Sequence, residues 1–306
     1  MVMATFGSMA DEVVRKLAGF TLRQDRQTHV IDQGSNTGVS STSTSIKVAS
    51  ANNISTGIIQ IDDELIYVNS YDRSSGTLSI PPYGRGYNGT SAATHQIGAR
   101  VIISPTFPSV DVKDAINETI LAVFPDLYST SVHTFPFSSA RSTYALPDDV
   151  ETVLAVSYQT TGPSKEWLPI RNWRVDPMAN TGAFNSRNSI SLYSGVEPGR
   201  TVHVFYTSAP AVMDSNDDDF EIVTGLPASC EDVIILGASA RLSSYIDPGR
   251  LTFGSAESDQ QSQIAGRSYG AGTNASKYLL ALYDKRLAEE TRKLQDRNPI
   301  RIHFTR

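Results

Sequence analysis

Two long stretches of strand-like alternation separate the helical segments of this chain, and this arrangement constrains the fold more than any other feature. Apolar residues recur every three or four positions in four segments, which begin near Ser8, Ser109, Ser229 and Asn274. Helices of about 12 to 20 residues cannot bury an apolar face alone, so we expect these four to pack together. The sequence therefore predicts one helical core that is interrupted by insertions.

Both stretches are rich in Ser, Thr, Asn and Gly and alternate apolar with polar residues, as half-buried strands do. Strands are predicted at 46–50, 58–62, 65–70, 100–104, 150–159, 167–175, 189–194 and 201–207. The expected fold class is α+β, with a four-helix core interrupted by two all-β insertion modules and an extended C-terminal arm. The expected domains are a helical core of residues 1–20, 106–128 and 226–296, β-modules of residues 21–105 and 129–225, and an arm of residues 297–306.

The composition narrows the function classes. The 306 residues carry a formal net charge of −6, which argues against a protein that mainly grips nucleic-acid phosphates, because that task needs clustered Lys and Arg. The one cysteine, Cys230, rules out an internal disulfide and a cysteine-cluster metal site, and we expect it to be a small core residue on a helix. No run of about 18 apolar residues is present, so the sequence predicts no membrane-spanning helix.

Gly84, Gly86 and Gly89 have the G-x-G-x-x-G spacing that binds a pyrophosphate when it lies between a strand and a helix. Here the residues after Gly89 lead into another predicted strand, and no strand–helix–strand alternation is present. We therefore interpret the glycines as turn and bulge positions that need a positive φ.

No residue pattern indicates catalysis, a cofactor or a metal. The acidic run 214–221 matches the early ligand positions of a calcium loop with Asp214, Asn216 and Asp218, but Asp219 and Gly225 occupy the positions of its required Gly and Glu. Residues 62–64 are acidic and lie at a predicted strand and turn, where exposed carboxylates are ordinary. The histidines lack zinc-ligand spacing, and we expect each to be a surface or strand residue: His29, His95, His133, His203 and His303. The sequence therefore favours a protein that is not an enzyme.

The C-terminal residues alternate apolar with polar side chains in a locally basic stretch. From Lys285 to Arg306 there are seven Lys or Arg and three acids. A strand with Ile300, Ile302 and Phe304 on one face needs burial, and it can obtain it on this protein's own sheet or on the sheet edge of a partner. Both alternatives remain open from the sequence.

Residues 61–101 resemble the small β-module of tailed-phage tail and connector proteins. Such modules often contain an acidic I-D-x-E strand, a hairpin, and then R-G-x-x-G-T-x-A-A-x-H-x-x-G-A-x-V. The matching residues are Arg85, Gly86, Gly89, Thr90, Ala92, Ala93, His95, Gly98, Ala99 and Val101. The resemblance covers about a seventh of the chain.

The order of helices, insertions and C-terminal extension also resembles the adaptor, or head-completion, proteins that connect the head and tail of phages. Segments 145–177 and 225–251 carry this likeness. It implies a virion structural protein with an adaptor-like helical core, which is assembled in the host cytoplasm and forms a ring, commonly of twelve copies, under the portal. The implied partners are the portal protein, a tail, stopper or tail-terminator protein, and genomic DNA that passes through the ring without specific binding. No cofactor, metal or membrane contact is implied.

The resemblance also assigns residues to these contacts. The portal-binding arm would consist of Arg297, Pro299, Ile300, Arg301, Ile302, His303, Phe304 and Arg306. The expected helix-packing and ring-contact residues are Val233, Gly237, Ala240, Leu279 and Leu282. Both insertions are longer than in small members of this family, so the sequence does not decide which of them faces the tail.

Two other functions remain as alternatives. A minor or distal tail protein could use the same β-module, but such proteins are usually dominated by β-structure. A carbohydrate-binding or depolymerising tail protein would need exposed aromatic side chains, and the candidates are Trp167, Trp173, Tyr193 and Tyr206. Their alternating placement in predicted strands favours the core instead.

Overall fold

The computed structural model describes residues 4–19, 25–31, 38–50, 54–161, 165–193, 195–243 and 271–298. In these ranges the chain forms five α-helices and fourteen strands, and the strands make four sheets of three or four antiparallel members. The prediction of a four-helix core is wrong. The two apolar clusters described below are built from strands and their connections, so the sheets and not a helical bundle bury much of the apolar surface.

The four predicted helices are present, and a short fifth one was not expected. They are α1 (Phe6–Ala18), α2 (Ser109–Ala122), α3 (Phe220–Thr224), α4 (Glu231–Ser243) and α5 (Ala271–Arg297). The first helix begins at Phe6, two residues before the predicted start near Ser8. Asp219 caps α3 by accepting from the backbone N–H of Ile222, and Gly225 ends that helix in a left-handed conformation with φ of 70°.

The chain divides into two compact units, and both contain helical segments and sheets. The first unit takes the described residues of Gly7–Ile116 and Ile235–Leu280. The second unit takes those of Met1–Phe6, Asn117–Ile234 and Ala281–Arg306. The helices therefore do not form a body separate from the sheets.

The first unit contains one sheet of order β1-β7-β3-β4 and one of order β2-β6-β5. The strands are β1 (Arg26–His29), β2 (Ser45–Lys47), β3 (Gly57–Ile61), β4 (Glu64–Val68), β5 (Ser70–Asp72), β6 (Thr77–Ser79) and β7 (Arg100–Ile103). Buried side chains of both sheets, among them Ile46, Ile59, Ile66 and Leu78, form one apolar cluster. Four of the five β4 residues are buried, since side chains on both faces of this strand are covered.

The second unit contains one sheet of order β11-β10-β14-β8 and one of order β12-β13-β9. The strands are β8 (Ser129–Pro136), β9 (Thr143–Ala145), β10 (Thr152–Gln159), β11 (Trp167–Pro169), β12 (Trp173–Asp176), β13 (Ser189–Leu192) and β14 (Thr201–Ser208). Side chains of both sheets, including Val156, Ile190, Val204 and Tyr206, form a second apolar cluster. The register of β10 against β14 shifts between Val153 and Ala155, which places a β-bulge at Leu154.

The predicted strands are all present, although 167–175 forms two strands, β11 and β12, instead of one. Residues 73–76 form the turn that joins β5 to β6. The sequence reasoning missed β1, β5, β6, β8 and β9. Cys230 is buried as expected, but it lies in a 3₁₀ turn before α4, and burial raises the pKa of its thiol to about 11.

None of the described helices combines the length and the apolar character that crossing a bilayer requires.

Candidate functional site

A tight hairpin between β3 and β4 brings two acidic side chains to one end of the first unit. The strands pair from Gly57 with Val68 to Ile61 with Glu64, which leaves a two-residue turn. Asp62, in that turn, has a φ of 51°, the left-handed conformation that such turns require. Glu64 opens β4 with its side chain directed inward and is only 1% exposed.

Arg85 neutralises the buried carboxylate of Glu64 through two parallel hydrogen bonds. Its Nε donates to Oε1 at 2.7 Å and its Nη2 donates to Oε2 at 2.8 Å. The guanidinium also donates to the backbone carbonyls of Ser40, Ser43 and Ala93. This bidentate geometry is the strong form of the arginine–carboxylate pair, and it ties two loop segments, at residues 40–43 and 85–93, to β4.

Glu64 also accepts hydrogen bonds from the chain that follows Arg85. The backbone N–H groups of Gly86 and Ala93 donate to it at 2.9 and 3.0 Å. His95 bridges the two acids: its Nε2 lies 2.8 Å from Glu64 Oε2, and its Nδ1 lies 2.8 Å from Asp62 Oδ2. We call Asp62, Glu64, Arg85 and His95 the charge cluster, and residues 83–95 the locked loop.

These contacts change the acidity of both buried groups. Burial alone would raise the pKa of Glu64, but the hydrogen bonds from Arg85, Ala93, Gly86 and His95 outweigh it and lower this pKa from 4.5 to about 2. Burial alone would lower the pKa of His95, but its bonds to Asp62 and Glu64 raise it above 6.5. The cluster therefore favours an ionised Glu64 and a protonated His95.

The arrangement is suited to holding a loop and not to chemistry on a ligand. Glu64 and His95 are almost fully buried, and each hydrogen bond of His95 described above goes to another member of the charge cluster. Within the described ranges, no group of His, Cys, Asp and Glu side chains is placed to hold a metal ion. We conclude that the charge cluster fixes the path of the locked loop against β4.

The glycines of the G-x-G-x-x-G stretch serve the same loop. Gly86 and Gly89 have φ values of 57° and 83°, as predicted for turn positions. Gly84 is needed for another reason, since a Cβ there would lie 2.6 Å from the carbonyl oxygen of Tyr67. The residues after Gly89 do not form a helix, so the structural setting for pyrophosphate binding is missing.

The locked loop carries a stack of aromatic rings at the surface. Tyr67 of β4 stacks on Tyr83 and Tyr87, with ring centroids 6.3 and 5.6 Å apart. Tyr83 is 70% exposed. The loop therefore presents a large aromatic surface on a rigid support, as protein interfaces often do.

The sequence reasoning missed the charge cluster. Glu64 was expected to be an ordinary exposed acid and His95 a surface or strand residue, and both expectations are wrong because the two side chains are buried together. One signal was present: alternation along β4 places Glu64 on the same face as Ile66 and Val68, which are fully buried. A carboxylate on a buried face requires a cation, and Arg85 was the available one.

The acidic run near α3 forms hydrogen bonds to its own backbone. Asp218 accepts from the backbone N–H groups of Asp214 and Ser215, and Asp219 caps α3. The run therefore forms the turn before α3, the cap of that helix and its first two residues.

The predicted helix-packing residues are largely inside the chain. Val233, Gly237, Ala240 and Leu279 are buried, and Leu282 is half-buried. Of the predicted arm, Arg297 is the last residue of α5. The other arm residues lie outside the described residues: Pro299, Ile300, Arg301, Ile302, His303, Phe304 and Arg306.

The candidate carbohydrate-binding aromatics do not form one platform. Tyr206 is 5% exposed and belongs to the core of the second unit, and Trp173 is half-buried against it. Trp167 is 40% exposed and stacks on His203, with ring centroids 3.6 Å apart. Tyr193 is exposed at the end of β13.

The protonation of His95 predicts a pH-dependent contribution to stability. The pKa of His95 is raised in the folded state, so its protonation stabilises the fold. This stabilisation is fully present below pH 6.5, the ordinary pKa of histidine, and is lost as the pH rises through the folded-state pKa. The lowered pKa of Glu64 affects stability in acid. The stabilisation by its carboxylate is present above pH 4.5 and is lost as the pH falls toward about 2. We expect His95→Gln to cost less stability at pH 9 than at pH 6.

Thermal unfolding of the wild type and the variant at both pH values measures this difference. His29→Gln is the matched control, because it removes an exposed imidazole from β1 of the same unit and leaves the charge cluster intact. An equal cost of His95→Gln at pH 6 and pH 9 would show that the imidazole is neutral in the cluster.

Compared with known proteins, the chain matches no protein-family model and shows no significant similarity to any curated protein.

Proposed function

We propose that this chain is a structural protein of a tailed-phage particle and acts at the connection between head and tail. The observation that supports the proposal is how the structure uses the residues that resemble the connector and tail β-module. Arg85, Gly86 and His95, three positions of that resemblance, all bind Glu64. These side chains fix the conformation of a surface loop, and a loop of fixed conformation is suited to binding another protein during assembly.

In the proposed role, copies of the chain form a ring beneath the portal, and the ring extends the channel through which DNA passes. The ring would number about twelve copies, as in the adaptor family that the sequence resembles. The C-terminal residues from Arg297 onward would bind the portal, and another surface would receive the tail, stopper or terminator protein. The particle and not the host membrane is the proposed location, after assembly in the host cytoplasm.

A minor or distal tail protein is the second candidate. The strand content favours it, because strands are about as abundant as helices among the described residues and tail-tip components are usually dominated by β-structure. The same β-module would then contact tail proteins instead of the portal.

Native mass spectrometry of this protein mixed with the portal protein of the same phage tests the choice. We expect the full-length chain to form a defined ring complex and a chain that ends at Asp296 to form none. Circular dichroism of the truncated chain serves as the control that it remains folded.

A triple variant with Ala at positions 297, 301 and 306 separates charge from the rest of the arm. Normal binding by this variant would show that the arginines are not the anchor. If neither chain binds the portal, the adaptor proposal is wrong, and binding to tail proteins of the same phage would support the second candidate.

A further inference from the structure

One face of the four-stranded sheet in the second unit is apolar and exposed. Phe205 of β14 lies opposite Val132 of β8 and Ala155 of β10, so the three side chains form a row across the sheet. Phe205 is 39% exposed and Val132 is 47% exposed. The other face of the same strands carries Val202 and Val204, which are fully buried in the apolar cluster of this unit.

A groove of about 520 Å³ crosses this exposed face. Ala155, Phe205 and Pro169 line it from three neighbouring strands, and Trp173 lies at one side. Leu154, the residue of the β-bulge in β10, also lines the groove, because a bulge redirects a side chain from the regular alternation. The size is within the range of pockets that hold small ligands or short peptide segments.

The charged side chains that line the groove are all positive. Arg171 and Arg297 are the charged residues of the lining that the structure describes, and no carboxylate is among them. Arg171 is exposed and forms no ion pair within the described part of the chain. A cleft of about 470 Å³ in the first unit is different, since Arg15 and Arg100 are accompanied there by Asp11 and Asp25.

We propose that this groove binds an extended segment of a partner protein that carries both apolar and acidic side chains. The apolar side chains of the segment would cover Phe205, Ala155 and Pro169, which are left exposed by the sheet. Its carboxylates would pair with Arg171 and Arg297, and such pairs select the partner and its orientation more than they add affinity.

The charge of the groove decides against this chain's own C-terminal residues as the occupant. The segment after Asn298 contains Arg301 and Arg306 and no acid, so it would bring positive charge to a positive groove. The inference goes beyond the proposed head-to-tail role, because it depends on the sheet face and Arg171 and not on ring formation, although Arg297 of the predicted arm also lines the groove.

The test uses the full chain and two blocked six-residue peptides, one alternating aspartate with leucine and one alternating lysine with leucine. Trp173 reports binding through its fluorescence in a Trp167→Phe background, where it is the only tryptophan. We expect saturable binding of the acidic peptide and at least about tenfold weaker binding of the basic one, equal to about 1.4 kcal/mol.

Arg171→Ala should weaken binding of the acidic peptide by about fivefold, and Arg171→Glu should reverse the preference between the two peptides. Arg174→Ala is the matched control, since Arg174 is an exposed arginine of β12 outside the groove lining, and it should leave binding unchanged. The inference is overturned if neither peptide binds, if both bind equally, or if Arg174→Ala weakens binding as much as Arg171→Ala. Portal binding is measured separately, so each proposal can fail without the other.

Discussion

Replacing Glu64 by glutamine should lower the free energy of unfolding of the first unit by about 3–5 kcal/mol, because it leaves the buried guanidinium of Arg85 without a counter-charge. The side chains of this pair are 0% and 8% exposed, so water cannot replace the lost carboxylate without opening the loop. The backbone N–H of Gly86 donates to Oε1 of Glu64 and that of Ala93 donates to Oε2, so a glutamine amide leaves one of the two without its acceptor.

Hydrogen exchange at increasing urea concentration, read on peptides that cover β3, β4 and β7, measures this loss in the unit that carries it. Glu151→Gln is the control, because Glu151 is exposed and its replacement should change stability by less than about 0.5 kcal/mol. A cost for Glu64→Gln as small as that of the control would show that the cluster does not hold the unit together.

A double variant, Glu64→Leu with Arg85→Met, examines the roles of charge and backbone separately. Replacing a buried ion pair by apolar residues is often neutral, but here the N–H groups of Gly86 and Ala93 and the ring of His95 would lose their acceptor. We therefore expect the double variant to remain destabilised. Recovery of wild-type stability would mean that the ion pair alone mattered.

Gly86→Ala should destabilise the first unit by about 2–4 kcal/mol, from the left-handed backbone and from a steric conflict together. Its φ is 57°, and an added Cβ would lie 2.6 Å from the carbonyl oxygen of Thr90. Gly89→Ala is the matched comparison within the same stretch, because Gly89 also has a positive φ but an added Cβ meets nothing within 4 Å. That substitution should cost about 1–2 kcal/mol.

Urea-dependent hydrogen exchange on the same peptides gives the order of the two costs. Equal costs for Gly86→Ala and Gly89→Ala would show that the loop shifts to admit the Cβ at Gly86. A phosphate-binding role for these glycines makes a different prediction, since both variants would then retain stability and lose nucleotide binding.

Local pattern in the sequence identified most elements but not how they assemble. The period of apolar residues in α2 and α5 and the alternation in β10 and β14 are set by neighbours within one segment, and these elements were predicted. Strand β8 was missed although its residues alternate in burial, because Ser129–Pro136 is mostly polar and aromatic and becomes a strand by pairing along its length with β14. The four-helix core was predicted because the apolar face of a helix must pack against another element, and the other helices were taken to be that element. The sheets were treated as insertions.

The charge cluster could not be read from spacing alone. Glu64 meets Arg85 across 21 positions and His95 across 31 positions, and only the hairpin and the path of the loop bring them together. The glycine pattern was interpreted correctly for Gly86 and Gly89 because a positive φ is a local property of the backbone. The close approach at Gly84 depends on Tyr67 and Ile80, which the sequence does not place beside it.

The contacts of Arg85 divide the residues of the locked loop into two classes. Those that bind the guanidinium or Glu64 cannot be substituted without loss of the loop structure, whereas those that face solvent can be. One guanidinium fastens segments at Ser40, Glu64 and Ala93, the first of them 45 positions away, and its ion pair with Glu64 is buried. Tyr83 and Asn88 are exposed on the loop that is fastened in this way. A loop held in this way allows its exposed residues to be substituted one by one to fit a new binding partner, while the backbone conformation stays the same.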